Sequence, residues 1–502
     1  MTSGSREPRP SILAIDIGLT NTKAVLFDPE GRILDRESLP YPTRRPSPDR
    51  VEQDPEDWLA AAAQATATLW RRDPEAAARV AAISVTAHMH ALVCLGDDGR
   101  ALGPALVLGD RRAIRQAERV TGALGAATVY GITGAELDAS MPAAKVAWIL
   151  EAAPEVAART RAFVACKDFV RHRLTGDLLT DPIDACATSL YDIRAARWSA
   201  AMLEAVGIDE RQLPVVRPPE AVGGTLRAGA AAVFGLRAGI PVVVGGGDDI
   251  EILGNGLLGP GECLEHLGTT GSILTVSDHL ALDPEMRLEV YPHAIPGMWV
   301  LGGSMTAAGA AIAAARSLLG FTPQDALAAL AAATVPSAGD PVFLPDLSGQ
   351  RCPVRAPQAK GGWLGLTPDS TREALVASSF RGVAYGLRRI LARIEDLAGE
   401  QRVVTVSGGY DLEPAWLQLR ADVYERPLAL LETSEPTALG AAIVAAAGIG
   451  LYPDVAAAVA ATVRRAGRID PDPSRSGALR RDYARFVRFN QALVDAWDNT
   501  GA

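Results

Sequence analysis

Several chemistries are excluded by what these 502 residues lack. There is no Gly-x-x-x-x-Gly-Lys-[Ser/Thr], so a P-loop is excluded. No Gly-x-Gly-x-x-Gly follows a strand and opens a helix, which argues against a dinucleotide fold. The five cysteines, Cys94, Cys166, Cys186, Cys263 and Cys352, form no Cys-x-x-Cys pair. Their scatter predicts a reducing cytosol, with neither disulfides nor a zinc site. Met1 to Pro10 is polar and proline-bearing, without the apolar core of a signal peptide. The Ala/Gly-rich run Thr437 to Tyr452, at about sixteen residues, falls short of the ~20 that a membrane span needs. It predicts a buried helix packed closely against a sheet. A net charge of −10 disfavours nucleic acid or an anionic membrane as partner. It says little about an anionic nucleotide met in a local basic pocket. The expectation is a cytoplasmic protein acting on a small molecule; a homodimer is compatible with the sequence.

What is present fits a large α/β protein. Hydrophobic residues at 48% and charged ones at 22% are ordinary for a globular chain, and the length suffices for two large domains. Short β-rich runs (Val80 to Val85, Pro241 to Val244) alternate with alanine-rich helical stretches (Trp58 to Arg72, Ser378 to Leu397), as in buried sheets covered by helices. Ser38 to Asp54 reads as a loop, and the tail from Asp454 onward as helical and peripheral. The domain boundary is expected just after Asp249.

Two segments share one plan. In Ala14 to Asp28, two apolar β-branched runs flank a tip of glycine, small hydroxyls and a lysine, with Asp16 leaving the first strand just before it. Such a tip can hold phosphates through N–H groups and hydroxyls, the carboxylate reaching Mg²⁺ through water. Alone, the motif is equally an ordinary surface hairpin. Glu265 to Thr275 repeats the plan around Gly268-Thr269-Thr270-Gly271-Ser272, which suggests a duplicated domain closing on one nucleotide. Between them, Asp248 follows three glycines at the end of a strand. From the residues alone a helix N-cap is its simpler role.

With Val51 to Trp58, Val244 to Asp248, Phe343 to Arg351, Ser407-Gly408-Gly409 with Trp416 to Val423, and Glu435 to Ala442, the two hairpins appear in the order found in FGGY carbohydrate kinases. The chain resembles that family from about Ser11 to about Ala447, and is closest in motifs to xylulokinase-like pentulose kinases. The resemblance implies two ribonuclease H-like domains of the actin/hexokinase type around a central cleft. A sugar-binding and first phosphate-binding domain would cover residues 11–250, and a nucleotide-binding domain residues 251–490. It implies ATP-dependent phosphorylation of a sugar hydroxyl, with ATP and Mg²⁺ as cofactors and Asp248 as the catalytic base. Asp16 would meet the metal. Gly18, Thr20, Asn21, Thr22 and Lys23 would face the phosphates, as would Gly268, Thr269, Thr270 and Gly309. Gly408 and Gly409 would let the backbone approach adenine or ribose. Turn chemistry for Thr20 and Asn21, and a solvated amine for Lys23, are the plain alternatives.

Sugar recognition would fall to Thr86 to Ala91, where the family reads Gly-Gln-Met-His-Gly. Met89 and His90 carry over; His88 replaces the glutamine. A His-x-His metal pair and a core histidine are the alternatives for these rings. Asp110 and Arg111 match sugar-hydroxyl partners, or a surface ion pair, but Leu108 stands where the family usually has tryptophan. Asp249 replaces a common asparagine; it would accept from hydroxyls and repel an acid such as gluconate. Tyr410 and Glu413 also depart from the family at the adenine end, and Lys167-Asp168 matches a segment of structural character. The substrate expected is a ketopentose such as xylulose. Gluconate, erythritol or a deoxyketose are alternatives, and more remotely a sensor without turnover.

Overall fold

The computed structural model describes residues 9–333, 335–337, 339–407 and 413–498. The chain divides into two units. The first is Met1–Leu258 with Tyr291–Met298 and Thr433–Val463; the second is Gly259–Val290 with Trp299–Glu432 and Arg464–Ala502.

In the first unit, Ser11–Ile17, Asn21–Phe27 and Ile33–Pro40 form an antiparallel meander. Val80–Ala87 joins Ser11–Ile17 in parallel, and Pro241–Val243 joins Val80–Ala87 in parallel. Ile12, Leu13, Ile15 and Ile17 are all at most 1% exposed. Full burial contributes roughly 1.5–3 kcal/mol for each such side chain, so this strand is a main anchor of the core. Helix Pro55–Arg72 covers the sheet. Pro55 sits in its first turn and Asp54 caps it by accepting the Glu56 N–H.

The second unit repeats the plan. Glu262–Leu267, Gly271–Ser277 and Trp299–Met305 make the meander, Val403–Ser407 adds in parallel to the first of these, and Leu428–Leu431 follows in parallel. Helix Arg372–Ala398 precedes Val403–Ser407 as Pro55–Arg72 precedes Val80–Ala87. Register makes the duplication residue-specific. Asp16 lies beside Lys23 and Thr86, while His266 occupies the same place beside Ser272 and Ser407. Only the first hairpin carries a carboxylate there.

The alanine-rich run is helix Pro436–Gly448, packed on Ser11–Ile17, on Val80–Ala87 and on the short helix Glu251–Gly254. These contacts place Thr433–Val463 with the first unit, a different division from one cut made after residue 250. The approach is backbone to backbone. A Cβ on Gly254 would stand 1.9 Å from the Pro436 carbonyl oxygen, and one on Gly440 2.2 Å from that of Ile250. Alanine in a helix interior ordinarily gains about 1 kcal/mol over glycine. Here the overpacking wins, and Gly440→Ala is expected to lose about 1–3 kcal/mol net. A urea midpoint unchanged or raised in the variant would overturn this account of the packing.

Two local expectations change. Ser38 to Asp54 is not all loop: a strand runs to Pro40, and Glu52–Gln53 pairs with Ala105–Leu106. In the tail, Val455–Thr462 and Pro473–Asp498 are helices, but Arg465–Ile469 is a strand antiparallel to Leu428–Leu431. Its side chains are mostly exposed, so no apolar alternation marks it, and the neighbouring strand's backbone supplies the pairing.

Candidate active site

Three strands of the first unit end together. Gly246 and Gly247 pair with Thr86 and Ala87, Thr86 pairs with Asp16, and the His88 N–H donates to Ile17 O at 2.8 Å. Gly245 turns the chain into this position with φ 73°, where a Cβ would lie 2.1 Å from the Val85 carbonyl oxygen. Only glycine fits. Asp248 then opens a short 3-10 turn, Asp248–Ile250, whose cap position is Gly247 with no side-chain cap. Asp248 therefore does not cap the turn; its carboxylate accepts from the Met89 N–H.

Acid predominates at these strand ends. Burial, then the charges of Asp249, Glu251 and Asp16, hold the Asp248 carboxyl well above the ordinary carboxylate range, although Asp248 keeps some exposed surface. Burial pushes Asp16, 8% exposed, up to about 6; Lys23 opposes, while Glu435 and Glu251 add to the rise. Such a concentration of acid costs stability and is a mark of functional sites. Among the described residues, however, no three His, Cys, Asp or Glu groups come together as a direct metal-ligand set.

The first hairpin tip is tightly held. Gly18 N donates to Asn21 O, the Tyr41 hydroxyl to Gly18 O, and Gln53 Nε2 to Leu19 O. Thr20 is exposed, Gly18 and Asn21 are half-buried, and the Asn21 amide donates to the Ser38 hydroxyl. Thr22 is fully buried. Lys23 bonds Glu435 at 2.6 Å, and Arg36 reaches the other oxygen of the same carboxylate at 2.9 Å. These residues, with Glu37, Ser38 and Arg72, line a cavity of about 420 Å³. In the sequence Glu435 is only one member of a motif, and nothing local to it shows that it stands between two cations.

Met89 packs over Gly247, where a Cβ would stand 2.7 Å from Met89 Sδ and 3.0 Å from Asp184 Oδ1. His90 is left-handed, φ 64°, with its Nδ1 3.1 Å from Ala187 O. In the neutral ring Nδ1 then donates and Nε2 carries the lone pair. His88 turns away from this face. It is 3% exposed, edge-on to Trp58 at 5.7 Å, and burial pulls its ring down to about 4. The two histidines do not form a metal pair.

Asp110 has no exposed surface. It accepts from the Val51 N–H at 2.8 Å and from Arg112 Nη2 at 2.8 Å, and Arg112 also reaches Glu52 at 2.6 Å. This geometry makes Asp110 a strut under the segment. Arg111 is exposed and 3.5 Å from Asp138. Asp249 is half-buried beside Asp248. Lys167 is buried among Asp168, Asp181 and Asp184 at 2.6, 3.2 and 3.4 Å, the structural character expected of it.

In the second unit the structure brings Gly268, Thr269 and Gly309 together. Gly309 N donates to Gly268 O at 3.0 Å, while Ala308 N and Ala310 N donate to Thr269 O, so the tip carbonyls meet the start of helix Gly309–Leu319. Thr269 and Thr270 stay exposed. Glu265 in the first strand is buried and paired with Arg420 at 2.7 Å, fixing the hairpin to helix Pro414–Tyr424. Glu413 is exposed at the cap position of that helix. Gly408, Gly409 and Tyr410 lie outside the described residues.

Residues 11–253 match the model of the FGGY family of carbohydrate kinases, N-terminal domain, and residues 265–449 that of the C-terminal domain. The chain is 30% identical over 412 residues to the xylulose kinase of Escherichia coli (strain K12), covering 82% of this chain and 84% of that protein. It is 28% identical over 454 residues to the gluconokinase of Bacillus subtilis (strain 168), covering 88% and 87%. It superposes on the crystal structure of xylulose kinase from Rhodospirillum rubrum with a TM-score of 0.90 at 29% identity, covering 97% of this chain and 100% of that one. Among the described residues no helix is long and apolar enough to cross a membrane.

Proposed function

Because the chain belongs to the FGGY family of carbohydrate kinases, and so is an ATP-dependent phosphotransferase acting on a sugar, we propose that its acceptor is a neutral ketopentose such as xylulose, or a related polyol, and that Asp248 takes the proton from the attacking hydroxyl. The observation that carries this reading is the place of Asp248. It stands at three strand ends, bonded by the Met89 N–H, with its affinity for a proton raised by burial and by three acid neighbours. A base of raised affinity is matched to abstracting a proton near neutral pH.

Phosphoryl transfer is mostly positioning and charge stabilisation. Met89 and His90 would hold the sugar, with Asp249 accepting from a hydroxyl and Arg111 at the exposed rim. Asp110 would keep that rim in place from beneath. Gly18, Thr20, Asn21 and Lys23 would face the phosphates in the first unit, with Thr22 packed beneath the tip. Gly268, Thr269, Thr270 and Gly309 would do so in the second. Gly408, Gly409, Tyr410 and Glu413 are proposed for the adenine end on the resemblance alone. The acid around Asp16 suits a cation met through its water shell, since among the described residues no direct ligand set is formed. Mg²⁺ held there would neutralise charge on the transferring phosphoryl group.

Gluconate is the second reading. The exposed Arg111 could meet a carboxylate, and one relative is named for that activity. Against it stands Asp249. At an effective dielectric of ~20 and a separation of ~5 Å, a second anion costs about 3 kcal/mol, roughly a hundredfold. The test is ADP release with Mg²⁺-ATP against D-xylulose, L-xylulose, D-ribulose, L-ribulose, erythritol, glycerol and gluconate, with Asp249→Asn beside the native chain. Turnover on a ketopentose, with gluconate gaining selectively in Asp249→Asn, is the expected pattern. Turnover on gluconate alone would replace the ketopentose reading and keep the kinase.

A further inference from the structure

Helix Pro142–Ala152 carries a lysine, Lys145, with no exposed surface. An ammonium has three N–H donors, and this one meets three main-chain carbonyls: His90 at 2.7 Å, Leu106 at 3.1 Å and Val107 at 3.0 Å. The first belongs to the strip carrying Met89 and His90. The other two immediately precede Leu108 to Arg111. We propose that Lys145 is a positioning residue of the acceptor pocket, cross-linking the His90 strip to the Leu106–Arg111 strip so that the sugar meets both at one fixed spacing. The inference rests on the assignment of Met89 and His90 to the sugar.

Two observations separate positioning from the mere satisfaction of buried carbonyls. Leu106 O already accepts from Leu92 N at 2.9 Å, and Val107 O from Asp110 N at 3.1 Å. The ammonium adds a second bond to each, beside the Leu92–Leu106 bridge that already joins the two strips and the turn that already satisfies Val107 O. His90, moreover, holds a left-handed backbone without being glycine, at an order-of-magnitude cost of ~1–3 kcal/mol, a conformation that persists only where its surroundings fix it. Lys145 grips its carbonyl and Ala187 O meets its ring. The same helix grips the second strip again three residues on, where the Arg112 guanidinium lies 5.0 Å over the Trp148 ring while holding Asp110. Burial pulls the Lys145 ammonium down to about 7, with Asp110 and Asp138 opposing and Arg112 adding to the fall, so the side chain offers all three donors below about pH 7 and, as the neutral amine, two above it. An apolar side chain would avoid that cost; here the three carbonyl bonds and the two carboxylates offset it.

The test is steady-state ADP release from Lys145→Met and Lys145→Gln, with His90→Ala as reference, on the best sugar of the panel. The glutamine variant keeps two N–H donors and serves if the methionine variant does not accumulate. Misplacing a bound group by about 1 Å can cost about a hundredfold, so the expected result is a sugar KM raised about tenfold or more in Lys145→Met, less in Lys145→Gln, with the KM for ATP within about twofold of native. A lower melting temperature with the sugar KM unchanged would overturn the proposal. If His90→Ala moves the sugar KM and Lys145→Met does not, positioning fails and the sugar site stands. If neither moves it, the sugar site itself is misassigned and the positioning role falls with it.

Discussion

Asp248→Asn is expected to reduce sugar-dependent ADP release about a thousandfold while leaving ATP binding intact. A positioned general base contributes about 10²–10⁴, and asparagine keeps the shape but cannot take the proton. The pH profile of the native enzyme should carry the same signature. Burial and three acid neighbours raise this carboxyl's hold on a proton. As pH falls, Asp248 therefore becomes protonated, and turnover is lost, at a pH above the ordinary carboxylate value of about 4. Glu251 and Asp16 contribute to that shift, so Glu251→Gln should move the acid limb downward. A variant that keeps more than about a tenth of native turnover would remove Asp248 from the chemistry. ATP consumption that never depends on a sugar would instead place the chain among ATPases.

What the sequence made legible depends on whether a device lies within one stretch of chain. Both hairpins, the glycine turn before Asp248 and helix Pro436–Gly448 are contiguous, and their residue types dictate turn, crowding and burial. The pairing of Lys23 with Glu435 joins residues 412 positions apart, and a motif carries no letter for which of its members faces another. Lys145 was less visible still. Its partners are backbone carbonyls 55, 39 and 38 residues back, and every residue owns a carbonyl. Exposed strands were lost for the opposite reason: Arg465–Ile469 buries almost nothing, so it imposes no period on its side chains. His88 and Asp110 show a third limit. His88 sits one residue from a candidate sugar contact and Asp110 is itself expected as one, yet the first turns into the core and the second underpins the rim.

Asp16→Asn should make the protein inactive and more stable, and the stability gain should depend on pH. Burial raises the folded-state value of Asp16 to about 6, from an ordinary 3.8. An acid shifted upward keeps its proton longer in the folded state than in the unfolded chain. Stability therefore falls as pH climbs from about 4 to about 6, and stays lower above that. A rise of about two units corresponds to about 3 kcal/mol, the cost of the charge at pH 8. Asparagine removes the charge and keeps the shape, so a gain of up to about that size is expected at pH 8. At pH 5, where the native carboxyl is already largely protonated in the folded state, about half of it should remain. Apparent unfolding free energies of both forms at the two pH values, beside their turnover, read this directly. The interaction with Lys23 limits the gain but does not reverse it, because burial is the larger influence and Glu435 already occupies that ammonium. An equal gain at both pH values would mean that packing, rather than charge, set the difference. No gain at pH 8 would show that Asp16 carries its charge there at little cost. In that case a cation would have no excess acid to neutralise, and the case for Asp16 as the site where Mg²⁺ is met would fall with it.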